Sequence, residues 1–369
     1  SWNMKGVPEG APLFTTTLKK LGYTNLFAGK AHFGPNDHPN GDPLNLGFDV
    51  NIAGHGSGGI GSYYAKKNFG KNQWHVPGLE KYHGSDIFIT EALTLEMSEF
   101  IKTAVADKKP FFAYMGHYAV HSPFEVDPRF SKNYPNLKGK ERAYATMIEG
   151  MDKSLGDLIH LLGNLGVAEE TLVVFYTDNG SALMMANGQP LRGMKGHRHE
   201  GGIRVPLIVS WAKPNPKSPM QQALPIAANS TNDSIVTCYD FFPTFIELAK
   251  PSEPIPKNDG ISFLPALKGE KIPNPHQSFL AHFPHGRHNN NLFTSYRYKN
   301  WKVIYNYKDK QWELYDLSKD IGESNNLASS MPEKVKELAS LMLSELHSQN
   351  ATFPTSTIDK TAQKPEFTF

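Results

Sequence analysis

The 369-residue sequence predicts an α/β fold, with a mainly parallel sheet flanked by helices and a smaller carboxyl-terminal subdomain of antiparallel sheet plus helix. Three observations lead there. Residues 111–115 (FFAYM), 172–176 (LVVFY) and 205–209 (VPLIV) are continuous apolar runs, the pattern of parallel strands covered on both faces. Helical periodicity separates them, and alternation of helix and strand implies layers around a parallel sheet. After about Pro265 the runs become short, aromatic-rich and bounded by turn residues, as in an antiparallel sheet.

The elements follow in order. A short helix is expected over 13–21, ended by Gly22, and a short strand over 25–28, ended by Gly29. A second helix covers 87–102. The strongest covers 140–162, where Tyr144, Met147, Ile148, Met151, Leu155, Leu158, Ile159 and Leu162 keep the i, i+3, i+4, i+7 spacing until Gly163 and Gly166 stop it. Residues 251–275, rich in Pro and Lys, read as a linker. Strands are expected at 279–283, 292–298, 301–307 and 311–317, and an amphipathic helix at 332–347. The expected organisation is a main domain over 1–265, a subdomain over 276–348 and an irregular tail over 349–369.

Composition narrows the function classes. With 39% hydrophobic and 20% charged residues the chain is globular in character, neither disordered nor fibrous. A net charge of +2 is too small for a nucleic-acid or anionic-membrane surface, so any anion site must be local. No apolar run approaches the roughly 18 residues of a membrane span. The single cysteine, Cys238, allows no intrachain disulfide, and its apolar neighbours predict a buried, inert thiol.

Ligands of parallel sheets gather at the carboxyl ends of the strands. Asp178 and Asn179 follow the strand at 172–176, and the segment 116–121, ending on His121, follows another. In GYTNLFAGKAHFG (22–34), Lys30 and His32 fall on one side if the chain stays extended, pairing a point cation with a titratable base. The loop LRGMKGHRHEGGIRVP (191–206) sets Arg192, Lys195, His197, Arg198 and His199 among four glycines, a composition suited to wrapping an anion. Residues 56–61 match G-x-G-x-x-G, but a poor strand precedes them and a poor helix start follows, so a surface loop is expected, not a nucleotide site. Asn229 and Asn350 begin glycosylation sequons. Tyr296, Trp301, Trp312 and Tyr315 are expected in the subdomain core.

The order GYTNLFAGKAHFG, HSP (121–123), YTDNG, LRGMKGHRHEGGIRVP and WELYDLSKDIGESNNLA (312–328) resembles the type I, formylglycine-dependent sulfatases of the alkaline phosphatase superfamily over nearly the whole chain. The resemblance implies an alkaline phosphatase-like fold and hydrolysis of sulfate esters, carried by a sulfated carbohydrate. It implies a Ca²⁺ ion partly ligated by Asp178 and Asn179. Lys30 and Lys195 would grip sulfate oxygens, Lys195 beside the leaving oxygen. His121 would bind sulfate and assist departure, and His32 would act as the base that later releases sulfate. His199, His282, His285 and Arg287 are candidate sugar contacts. The family habit of export implies a periplasmic or secreted location.

Departures from the family pattern shape the expectation too. No Cys/Ser-x-Pro/Ala-x-Arg motif, source of the formylglycine, occurs, and the early Asp-Asp pair of the metal site is missing. The chain therefore reads as lacking the family's amino-terminal part, with half a metal site and no nucleophile, and is expected to be inactive alone. Ala31, Phe33 and Met194 stand where the family often has Trp, Leu and Gly. The alternatives are a phosphoesterase or phosphonate monoester hydrolase of the same superfamily, and a non-catalytic binding remnant.

Overall fold

Leu26, Phe27 and Ala28 are almost wholly shielded from solvent in β1 (Thr24–Gly29), the middle strand of a parallel sheet ordered β2-β1-β3. β2 is Val50–Ile52 and β3 is Phe111–Gly116, and their registers pair Leu26 with Val50 and Gly29 with Gly116. The computed structural model describes residues 6–35, 38–183, 190–249, 254–285, 292–355 and 361–366. The chain divides into two compact units. The first comprises Ser1–Val173, Val209–Asn232 and Val236–Pro273; the second comprises Val174–Ile208, Asp233–Ile235 and Asn274–Phe369.

In the first unit the helices lie close to expectation: α1 Phe14–Lys20, α2 Ile89–Ala106 and α3 Gly139–Asn164. Leu93, Met97 and Ile101 of α2 and Met147 and Leu162 of α3 form one core with Leu26 and Ala28, joined by Phe111, Ala113 and Met115 of β3. Full burial of a Leu or Met side chain contributes about 1.5–3 kcal/mol, which makes the apolar stripes of these helices the main adhesive. The opposite side chains of β3 meet aromatic rings: Tyr114 stacks on Phe27 at 5.1 Å, and Phe112 meets Phe14 at 5.2 Å.

β4 (Leu172–Tyr176) and β5 (Leu207–Trp211) are hydrogen-bonded neighbours in a separate two-stranded sheet. The expectation that the apolar runs are covered on both faces fails in part. Tyr114 and Phe175 are exposed, and Ile208 is 60% exposed. Cys238 is also exposed, contrary to expectation. It starts a single 3-10 turn in which Thr237 and Asp240 cap one another and are buried, and that pairing turns Cys238 and Tyr239 outward. Helices α4 (Glu200–Ile203), α5 (Pro219–Ala223), α6 (Phe241–Ala249) and α7 (Leu264–Leu267) complete the connections.

The second unit contains the antiparallel sheet β6-β7-β8-β9, formed by Ser278–Phe283, Phe293–Tyr298, Trp301–Asn306 and Gln311–Asp316. Helix α8 (Pro332–Ser348) packs on it through Val335, Leu338, Ala339, Met342 and Leu346. Tyr296, Trp312 and Tyr315 are buried and Trp301 is partly buried, the core role expected of them.

Candidate functional site

In the first unit, β1 delivers Lys30 and His32. Gly29 has φ +108, and a Cβ there would sit 1.8 Å from the carbonyl oxygen of Gly116, so only glycine lets β1 and β3 close at this edge. Lys30 N then donates to Gly116 O at 2.6 Å. The chain does not stay extended through His32, whose φ of 54° is left-handed, so the extended-strand argument for placing Lys30 and His32 on one side does not apply. His32 N donates to His55 O at 3.2 Å instead.

The glycine-rich segment read as a surface loop packs beneath His32. Gly56, Gly58, Gly59 and Ile60 are buried, and a Cβ on Gly58 (φ +64) would lie 2.3 Å from His32 Cγ. A short strand does precede the loop, but only a 3-10 turn, Ala65–Lys67, comes after it, so no helix N-terminus faces it. His55 Nδ1 is 2.8 Å from Ser57 Oγ, while burial and the nearby His75 and His32 hold its pKa below the ordinary value.

β3 leads at the same sheet edge to His117 and His121. Burial drives the His117 pKa down to about 4, so the ring is neutral at physiological pH. His121 is fixed through its backbone: Tyr63 Oη shares its proton between Tyr118 O at 2.7 Å and His121 O at 2.8 Å. His121 Nδ1 donates to Ser122 O at 2.8 Å, which leaves Nε2 as the nitrogen that gains or loses a proton.

In the second unit, the turn after β4 and the basic loop are laced together. Gly180 N donates to Gly202 O at 3.3 Å, and Lys195 N donates to Ser181 O at 2.9 Å. A Cβ on Gly180 would come within 1.9 Å of Gly201 O. Asp178 and Asn179 therefore share one small region with the Lys195 backbone, although fifteen residues of chain lie between Asn179 and Lys195.

Arg192, Arg198 and His199 are engaged elsewhere. Arg192 Nη1 donates to Glu323 O at 2.8 Å and Tyr315 Oη at 3.2 Å. Arg198 Nε donates to Glu313 Oε1 at 2.7 Å, and His199 Nε2 donates to Glu313 Oε2 at 3.0 Å. Burial would raise the Glu313 pKa, but hydrogen bonds from His199 and Tyr315 and the Arg198 charge outweigh it and bring it to about 2. Behind them Lys302, 1% exposed, meets Glu200 Oε1 at 2.9 Å and Glu323 Oε1 at 2.8 Å, while Glu200 N donates to Glu323 Oε2. Sequence reasoning missed this network, because Glu200, Lys302, Glu313 and Glu323 carry no local signal that they meet.

Of the proposed sugar contacts, His282 has both ring nitrogens in use, Nδ1 with Thr294 Oγ1 at 2.7 Å and Nε2 donating to Thr352 O at 2.8 Å. The His285 ring lies 3.9 Å from that of Phe283. Arg287 lies outside the described residues. Asp178 and Asn179 offer a carboxylate and an amide oxygen, the hard donors that Ca²⁺ prefers, but Ca²⁺ takes about 6–8 oxygens. Among the described residues no group of three or more His, Cys, Asp or Glu is placed to hold a metal. The donor types fit, and the donor count is incomplete.

Residues 2–251 match the family model described as Sulfatase. The chain belongs to the sulfatase family. Residues 194–352 also match the model described as N-sulphoglucosamine sulphohydrolase, C-terminal, which begins inside the basic loop. A sulfatase of Formosa agariphila is 31% identical over 293 residues, covering 71% of this chain and 49% of that protein. Mouse N-acetylgalactosamine-6-sulfatase is 32% identical over 289 residues, covering 74% of this chain and 52% of the relative. The sulfatase chain thus spans about half the length of these curated relatives. The crystal structure of Ps i-CgsB in complex with k-i-k-neocarrahexaose superposes with a TM-score of 0.75 at 27% identity, covering 97% of this chain and 79% of that one. The alkaline phosphatase-like fold expected from the motifs is the one found. No described helix is long and apolar enough to cross a membrane.

Proposed function

We propose that the intact protein hydrolyses sulfate esters on a sulfated carbohydrate, in the periplasm or outside the cell. The observation that supports this reading is the backbone lacing of the turn that carries Asp178 and Asn179 to the loop that carries Lys195, in a chain of the sulfatase family. Mouse N-acetylgalactosamine-6-sulfatase and the carrahexaose complex of Ps i-CgsB support a sugar as the carrier.

In this reading Lys30 and Lys195 hold the non-bridging sulfate oxygens, whose charge must be met as the S–O bond to the sugar breaks. His121, its Nδ1 fixed by Ser122 O, delivers a proton from Nε2 to the leaving sugar oxygen. His32, supported by the Gly58 loop, takes the proton when sulfate is released. Asp178 and Asn179 would contribute two ligands to a Ca²⁺ ion that neutralises sulfate charge. A formylglycine, formed from a Cys or Ser outside these 369 residues, would supply the attacking oxygen. The test is sulfate release by the full-length protein from sulfated sugars, compared with phosphate monoesters of the same alcohols. Faster phosphate release would overturn the reading.

A further inference from the structure

The same glycine-rich segment that supports His32 also borders a cleft of about 510 Å³ within the first unit. Gly61, Lys66, Lys67, Gly70, Lys71 and Trp74 line it. Its size is that of a small-ligand site, about 300–1,000 Å³. Glycines let the backbone close tightly beside the cleft: a Cβ on Gly61 would lie 2.7 Å from Gly70 Cα, and one on Gly70 would lie 2.4 Å from Trp74 O. Trp74 is 41% exposed, and a Cβ on Gly59 would lie 2.9 Å from its Cζ3, so the indole is propped on the loop with part of its surface in solvent. The chain around the cleft is held in an uncommon conformation, with the lining residue Asn68 and its neighbours Phe69 and Asn72 at φ of 53°, 55° and 56° and the Phe69 side chain wholly buried. A bulky residue in this region costs free energy that only surrounding structure can offset.

The cationic rim is unevenly neutralised. Lys66 pairs with Asp86, and Lys67 Nζ lies 2.7 Å from Glu125 Oε1, whose second oxygen accepts from Ser62 Oγ and Tyr63 N. Lys71 has no ion pair among the described residues. An apolar ring beside a cation with no ion pair among the described residues complements a sugar carrying an anionic substituent: C–H groups against indole, sulfate against ammonium. Only Gly59 and Ile60 separate Gly58, beneath His32, from Gly61 on the cleft.

We propose that this cleft is a saccharide subsite, binding a sulfated sugar unit of an oligosaccharide other than the unit whose ester is cleaved. The inference rests on the proposed function and deepens it, from sulfated carbohydrate to a chain of at least two sugar units. The test uses the full-length enzyme with Trp74→Ala and, as a charge-only variant, Lys71→Ala. Substrates are a carrageenan hexasaccharide and a sulfated monosaccharide, with hexasaccharide binding measured separately by calorimetry. Each variant should lower kcat/KM for the hexasaccharide about tenfold, the size of one lost stacking or charge contact, and that for the monosaccharide less than twofold. Equal losses on both substrates, or no loss on either, would overturn the subsite. If neither substrate is turned over, binding alone decides: hexasaccharide affinity that falls in both variants supports the cleft and affinity unchanged in both overturns it, while the sulfatase reading is tested separately by the panel of sulfated sugars above.

Discussion

The backbone N–H of Lys195 donates to the carbonyl of Ser181 at 2.9 Å, joining a basic loop to the turn that carries Asp178 and Asn179. Gly180 makes this approach possible, since a Cβ there would collide with Gly201 O at 1.9 Å. Gly180→Ala should therefore separate the two segments. In the full-length enzyme kcat should fall about a hundredfold or more, the order seen when catalytic groups are misplaced by about 1 Å. A kcat within threefold of wild type would show that the lacing is dispensable.

On its proposed role as a Ca²⁺ ligand, Asp178→Ala should abolish turnover with little loss of stability. Ca²⁺ binding gives an independent readout of that role. Added Ca²⁺ should raise the melting temperature of the full-length protein and EDTA should lower it. Neither should move Asp178→Ala by a comparable amount, and an unchanged Ca²⁺ shift in that variant would remove Asp178 from the ligand set.

Glu313 links stability to pH. Its folded pKa of about 2 lies below the ordinary glutamate value of 4.5, so its contribution is present above 4.5 and is lost as pH falls through 4.5 towards 2. At about 1.4 kcal/mol per unit this amounts to roughly 3 kcal/mol at neutral pH, an upper value for a partly screened pair. Urea titrations of the wild type and Glu313→Gln should show the stability difference shrinking between pH 5 and pH 2.5. A difference that stays constant over that range would refute the linkage.

Lys302 sits between Glu200 and Glu323, and all three are buried. Lys302→Met should cost about 3–5 kcal/mol in equilibrium unfolding, because it strands two carboxylates without their cation. Adding Glu200→Gln and Glu323→Gln should recover most of that loss. Failure of the triple variant to recover would mean that packing, and not charge pairing, sets the value of this cluster.

Gly58→Ala tests the support beneath His32. Its φ of +64° costs an alanine about 1 kcal/mol, and the Cβ would press on the His32 ring. The expected result is a kcat lower by about tenfold or more with KM little changed, the pattern of a displaced catalytic group and not of lost substrate binding. Full activity would separate the loop from His32.

Much of the fold was legible from periodicity alone. The 3.6-residue stripe of α3 and the short aromatic strands β6 to β9 fall within one or two residues of expectation, since both patterns report which local face must be buried. Cys238 was misread for the same reason: apolar neighbours say that a segment is near a core, not which side chain of a single turn enters it. The glycine-rich segment was also misread, because burial of a loop depends on what lies above it, here His32 and Trp74.

By itself the sequence determined the layer order, the placement of Asp178 and Asn179 after a strand, and the family, because these depend on local pattern and motif order. Tertiary structure alone decided that Ser181 and Lys195 meet, that Glu313 takes up Arg198 and His199, and that the Gly58 loop runs from His32 to the Trp74 cleft. Such pairings join residues up to 115 positions apart, and their energies arise from burial and charge neutralisation that exist only once the chain has folded.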